Sequence, residues 1–142
     1  MILADTGFFV ALANPRDHWH ASARRALLEL KEPLVTTWPV LTETCHLLLS
    51  RLGPEAQTRF VASVDKGAVS LHALEAQHVP RIRELMEKYR ALPMDLADAS
   101  LVIAAEELGR GDILSTDRRD FGAYRWKSRR PFRNLLRDPD AR

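Results

Sequence analysis

A single cysteine, Cys45, stands in 142 residues. No intramolecular disulfide can staple the chain and no cysteine-based zinc site can form. Nor does any run approach the roughly 18–20 apolar residues that span a bilayer. Asp5 occupies the place where a secretory leader would carry basic residues ahead of its apolar core. The expectation is a soluble protein of a reducing compartment, the cytoplasm. Internal repeats, low-complexity tracts and interdomain linkers are missing too. "LGRGD" holds two glycines but no phosphate-loop lysine, so it reads as a turn between a helix and a strand.

What the chain does have is a 46% apolar share, enough for one core at this length. A single domain is expected over residues 1–136, with a frayed tail over 137–142. The formal net charge of +2 hides an asymmetry: residues 1–117 hold 12 Lys/Arg against 16 Asp/Glu, whereas residues 118–142 hold 9 against 3. An acidic body with a basic end suits a polyanion binder that carries a cation pocket.

The periodicity alternates between strand and helix. "MILA", "PLVTT", "AVSLH" and "DILST" are short strand candidates, and "RPFRNL" holds a marginal fifth. Between them lie helical patterns: "GFFVALA", ended by Asn14-Pro15; "HWHASARRALLELK"; "WPVLTETCHLLLSRLG", with Thr37 as its cap and Gly53 past its end; "PEAQTRFVASVDKG"; "EAQHVPRIRELMEKYRA", with Pro80 in its first turn; and "DLADASLVIAAEELG". Strands separated by helices predict an α/β three-layer sandwich around a central, mainly parallel sheet of four or five short strands.

"ILADTGFF" contains Asp-Thr-Gly after an apolar strand, which invites an aspartic protease reading. Such proteases are built mostly of antiparallel strands, and the helical periods here exclude that architecture. The acids instead fall at the ends of elements. Asp5 follows the first strand and Asp117 the fourth, while Glu43 and Asp98 lie near the starts of two helices. In an open parallel sheet, ligands bind beyond the carboxyl ends of the strands, where strand order reverses. One cluster there can collect all four. Without a cation such a quartet suppresses its own ionisation and costs stability. A hard divalent ion, Mg²⁺ with Mn²⁺ as substitute, reverses the sign and suits phosphodiester hydrolysis. Asp95 is the expected cap of the helix containing Asp98, and Asp120 a turn residue or outer ligand.

The segments "ILADTGFFVALA", "TTWPVLTETCHLL", "MDLADASLVIAAEELG" and "ILSTDRRDFGAYR", in this order, resemble the PIN-domain ribonucleases, and more narrowly the VapC toxins of bacterial toxin–antitoxin pairs. The resemblance runs from Met1 to about Phe132. It implies a PIN-like fold, metal-binding acids at Asp5, Glu43, Asp98 and Asp117, and a Thr6 hydroxyl that orients the site, with Asp95 and Asp120 in support. It further implies an endoribonuclease that hydrolyses RNA with metal-activated water, a protein antitoxin of the VapB kind that covers the cleft, and a homodimer. The rival readings are a free-standing PIN nuclease acting on RNA or DNA without an antitoxin, and a non-catalytic nucleic-acid-binding module.

Other residues have plainer explanations. His18-Trp19-His20 reads as a helix start with Trp19 packed inward, and Cys45-His46 as a buried thiol beside an ordinary histidine. Arginine suits phosphate through its planar donors, which makes Arg118 and Arg119 the candidate substrate contacts, with Arg125, Arg129 and Arg130 nearby. Tyr124 and Trp126 either stack on unpaired bases or pack the last edge of the sheet.

Overall fold

The computed structural model describes residues 1–141. Strands β1 (Ile2–Ala4), β2 (Leu34–Thr37), β3 (Val69–His72) and β4 (Asp112–Leu114) lie where the apolar runs placed them. A small two-stranded hairpin follows, β5 (Arg125–Trp126) and β6 (Arg130–Pro131), and then β7 (Arg133–Asn134), the fifth strand of the main sheet. The main sheet has the order β3-β2-β1-β4-β7, and every neighbouring pair is parallel. Strand order reverses between β1 and β4, the two strands followed by Asp5 and Asp117. β1 and β2 are buried along their whole length, as parallel strands covered on both faces must be; β1 reads as an unbroken apolar run, while β2 ends in Thr36 and Thr37, whose buried hydroxyls find partners in Ala4 O and Ser100 Oγ.

Helices α1 (Thr6–Ala13), α2 (His20–Glu29), α3 (Trp38–Leu52), α4 (Pro54–Asp65), α5 (Val79–Lys88) and α6 (Leu96–Leu108) flank the sheet. α6 is the central helix. From Ala97 to Ala105 every residue except Asp98 is buried, and five of them are Ala or Ser, side chains small enough to let the helix lie close against the strands. A helix that is apolar nearly all round is one packed on all sides. Gly109 closes it in the left-handed region, φ 70°, a conformation that glycine adopts without steric cost.

Some expectations need correction. Thr37 stands at the N-cap of α3 but makes no capping bond; it is fully buried, and its hydroxyl pairs with Ser100 Oγ at 2.5 Å. The "HWHASARR" helix begins only at His20, because Asp17 turns the chain by accepting from Trp19 N at 2.8 Å. The long "EAQHVPRIRELMEKYRA" pattern divides into a 3₁₀ turn, Ala76–His78, and α5, with Pro80 in the first turn of α5. "RPFRNL" supplies two separate strands, not one. Helix α7 (Arg118–Ala123) was not expected at all.

Tyr124 and Trp126 are 0% and 6% exposed, which removes the base-stacking reading and leaves the packing one. Gly111 makes room for Trp126: a Cβ there would lie 2.2 Å from the indole nitrogen. Cys45 is half-buried and burial pushes its thiol pKa up, the environment of an inert side chain. Beyond Leu136, the segment to Ala141 is joined to the body where His18 Nε2 meets Asp140 Oδ2 at 2.9 Å. No helix among the described residues is long and apolar enough to cross a membrane.

Candidate active site

Where β1 ends, Asp5 N–H still donates to Leu114 O across the β1–β4 pair at 3.1 Å, so this residue is held by the sheet. Its carboxylate is then fixed by both oxygens. Oδ1 accepts from Thr6 N at 2.8 Å, capping α1, and Oδ2 accepts from Ser115 Oγ at 2.9 Å. Ser115 in turn accepts from Asp117 N at 3.0 Å, tying the exits of β1 and β4 together. Asp117 caps α7 through Oδ1, which takes the Asp120 N–H at 3.0 Å. At the start of α6, Asp95 Oδ1 accepts from Asp98 N at 2.8 Å, the capping role expected for it. Asp98 points its carboxylate inward, where Oδ2 accepts from Tyr124 Oη–H at 2.7 Å.

These acids face one cleft of about 340 Å³, lined by Asp5, Thr6, Glu43, Asp95, Asp98, Asp117 and Asp120 among others. All seven residues expected in the metal site or its support are therefore brought together. The two arginines expected to touch substrate do not line it. Arg118 donates to Leu136 O at 2.8 Å, while Arg119 reaches Asp120 Oδ1 at 3.1 Å and Leu92 O at 3.1 Å.

The electrostatics match the geometry. Burial, with further contributions from Glu43 and Asp117, raises the Asp5 pKa from 3.8 to about 6. Burial also lifts Asp98 to about 8, against the pull of Tyr124 and with help from Asp5, Asp95 and Asp117. Glu43 is raised by burial and by Asp95, and Asp117 by burial first of all. Four carboxyls thus share a place that resists their charge, the condition that a cation relieves.

Several lining residues escaped the sequence reading: Asp17, Trp19, Arg51 and Thr116. Arg51 had a signal, since Glu43, Leu47 and Arg51 recur at the four-residue spacing of one helix face. Ser115 lay inside "DILSTD", but a hydroxyl bridge between two strand exits has no one-dimensional signature. Gly7 is needed for sterics alone: a Cβ there would sit 1.9 Å from Thr116 Oγ1. Gly7→Ala is expected to destabilise the protein by about 1–3 kcal/mol, read by urea denaturation, and to lower activity by displacing Thr116 from the cleft wall.

The donor set fits a hard divalent ion. Carboxylate and hydroxyl oxygens line the cleft, with no histidine or cysteine among them. Thr6 Oγ1 is buried with no hydrogen-bond partner, yet lies close enough to Glu43 to favour its charged form. Among the described residues no three acids close into a ready-made cage.

The PIN-domain family model matches residues 2–127. The chain belongs to the PIN-domain family. Within it, the chain is similar to Ribonuclease VapC26 of Mycobacterium tuberculosis (strain ATCC 25618 / H37Rv), 26% identical over 124 residues that cover 87% of this chain and 92% of the relative. Its fold is that of the crystal structure of M. tuberculosis VapC20, a Sarcin-Ricin loop cleaving toxin. The TM-score is 0.78 at 24% identity, covering 84% of this chain and 92% of the other. The PIN fold puts the carboxyl ends of β1 and β4 beside the starts of α3 and α6, and so collects acids that lie far apart along the chain.

Proposed function

We propose that this PIN domain is a metal-dependent endoribonuclease acting as the toxin of a toxin–antitoxin pair, cytoplasmic and homodimeric. The observation that carries the proposal is the convergence of Asp5, Glu43, Asp98 and Asp117 on one cleft, all four with pKa values pushed upward. The similarity to Ribonuclease VapC26 supports RNA as the substrate and an antitoxin of the VapB kind as the partner.

A bound Mg²⁺ or Mn²⁺ would supply positive charge against the phosphodiester and acidity toward water. Everything else falls to the chain. The Asp5 carboxylate is clamped by Ser115 Oγ, that of Asp117 by the Asp120 N–H and that of Asp98 by Tyr124. The carboxylates therefore do not need to reorganise when the ion and the RNA arrive, and preorganisation of this kind is the larger part of electrostatic catalysis. Glu43, half-buried near Asp95 and beside the Thr6 hydroxyl, is the carboxylate we assign to take a proton from water. Arg51 at the rim gives the scissile phosphate a cationic neighbour. Trp38, Leu49 and Val61 expose apolar surface on α3 and α4, a face suited to a second copy of the chain.

The test is twofold. Purified protein should cut RNA in Mg²⁺ or Mn²⁺ and stop in EDTA. Expression should arrest growth, and a small neighbouring gene product should relieve the arrest. Active protein that is harmless in cells would select the free-standing nuclease, and RNA binding without turnover in either metal would select the binding module.

A further inference from the structure

The β5–β6 hairpin is a second feature of the basic end that the acidic cleft does not use. Its three-residue turn, Lys127-Ser128-Arg129, and the following Arg130 are all exposed. No acidic residue occurs between Phe121 and Arg137. Lys127, Arg129, Arg130 and Arg133 form no ion pair among the described residues, whereas Arg81, Arg83, Arg110 and Arg119 each do.

The turn is also held unusually. Lys127 (φ 47°) and Ser128 (φ 68°) are the only non-glycine residues with positive φ among those described. Glycine or asparagine would adopt that backbone at less cost, yet the sequence places a lysine there. The surroundings fix the conformation. Lys127 N donates to Glu106 Oε2 at 2.6 Å, Lys88 Nζ to Ser128 O at 3.5 Å and Trp126 Nε1 to Pro131 O at 3.1 Å. The Lys127 and Arg130 cations lie over the Trp126 ring at 5.9 and 5.3 Å. Cations without carboxylate partners, on a rigid and strained support, are poised for an external anion.

The position relates the hairpin to the cleft. Tyr124 donates to Asp98 in the first turn of α6, and three residues later Lys127 bonds to Glu106 on the same helix. Eight residues of helix rise about 12 Å. The cations thus begin within a few nucleotides of the acids along an extended strand.

We propose that the Lys127–Arg130 turn is a docking surface for the phosphodiester backbone of single-stranded RNA, gripping the strand a short way from the bond cut in the acidic cleft. The proposal rests on the nuclease reading above and deepens it. The turn reads charge, not sequence, since no aromatic face is exposed there for bases to stack on.

The test uses the full chain carrying Lys127→Gly together with Arg129→Gln. Affinity for a fluorescently labelled single-stranded RNA is measured by anisotropy in EDTA, where nothing is cleaved, over a series of salt concentrations. The variant should bind roughly ten-fold more weakly, and the slope of log affinity against log salt should shrink by about 0.7 for each phosphate that the variant no longer neutralises. Its melting temperature should stay level or rise, because glycine accepts the positive φ and keeps the N–H bond to Glu106. Removing a merely structural residue would lower it. In Mn²⁺, cleavage of an RNA too short to reach the turn should be unchanged while KM for a long RNA rises. Unaltered RNA affinity and salt slope would overturn the proposal. So would normal RNA binding combined with failure to bind a glutamate-rich peptide that the parent protein binds, which would assign the turn to an acidic protein. Neither result touches the nuclease reading, which Asp5→Asn and Asp98→Asn decide.

Discussion

Asp98→Asn is expected to lower metal-dependent RNA cleavage on the order of 10²–10⁴-fold while raising the melting temperature of the metal-free protein at pH 7–8. The two effects have opposite signs because the residue works against the fold. Its pKa of about 8 means that, at neutral pH and without a cation, the folded protein either carries a charge its surroundings resist or binds a proton that the unfolded chain would release. An amide needs neither, and its oxygen still accepts from Tyr124. A carboxylate present only as a helix-start residue would give the reverse, a small stability loss with activity intact. Asp5→Asn should abolish cleavage equally, though with less gain in stability. Ser115 Oγ already accepts from Asp117 N, and the new amide would face a hydroxyl whose proton has lost its acceptor. Because groups that act as a unit are not additive, the double variant should be scarcely slower than either single one. RNA cleavage assays and thermal melts on the same preparations check each statement, and full activity in Asp98→Asn would remove the cluster from the chemistry.

Asp5 and Asp117 were legible in the sequence because an acid directly after a short apolar strand has few structural reasons to be there. Asp98 was legible only jointly with them. Where the reading failed, a tertiary contact outweighed a local preference. Thr37 has the residue type and place of a cap, but its hydroxyl is spent on Ser100, 63 residues away. α7 spans six residues, too few for a helical period to show, and it starts where it does because Asp117 accepts from Asp120 N. The same carboxylate thus shapes the backbone and lines the cleft. Tyr124 looked like a base-stacking residue because a sequence cannot reveal that its ring packs edge-on against Tyr89 and Phe121 while its hydroxyl reaches Asp98. The surroundings of the arginines were the least legible. Arginines cluster throughout residues 118–133, and what separates Arg118, bonded to Leu136 O, from Arg129, exposed at the tip of a hairpin, is geometry alone.

The second large effect concerns pH and the ion together. Asp5 titrates near 3.8 when unfolded and at about 6 when folded. Below pH 4 both states hold the proton and the group is neutral to stability. Between pH 4 and 6 the folded state alone keeps it, so every rise in pH favours unfolding. At about 1.4 kcal/mol per pH unit, Asp5 alone removes about 3 kcal/mol. Asp98 extends the loss to about pH 8. Two exposed acids act the other way at lower pH: Arg110 holds Glu32 down to about 2, and His72 and His78 hold Glu107 below its usual range, so acidification below about pH 4.5 costs their pairings. The metal-free protein should therefore be most stable near pH 4 and melt progressively lower toward pH 8, unlike the many proteins whose carboxylates are all paired. Mg²⁺ or Mn²⁺ bound in the cleft would compete with those protons for the same oxygens, so its affinity is expected to climb as the pH rises. At pH 8 saturating Mn²⁺ should recover most of the lost melting temperature, while at pH 5 it should change little. Asp98→Asn should flatten the metal-free profile and blunt the recovery. Melting curves across pH with and without Mn²⁺ check this without any assay of RNA. A profile that rises from pH 5 to 8 in the metal-free protein would show that neither burial nor mutual repulsion opposes the charge of these carboxylates, and with that the need for a cation would vanish.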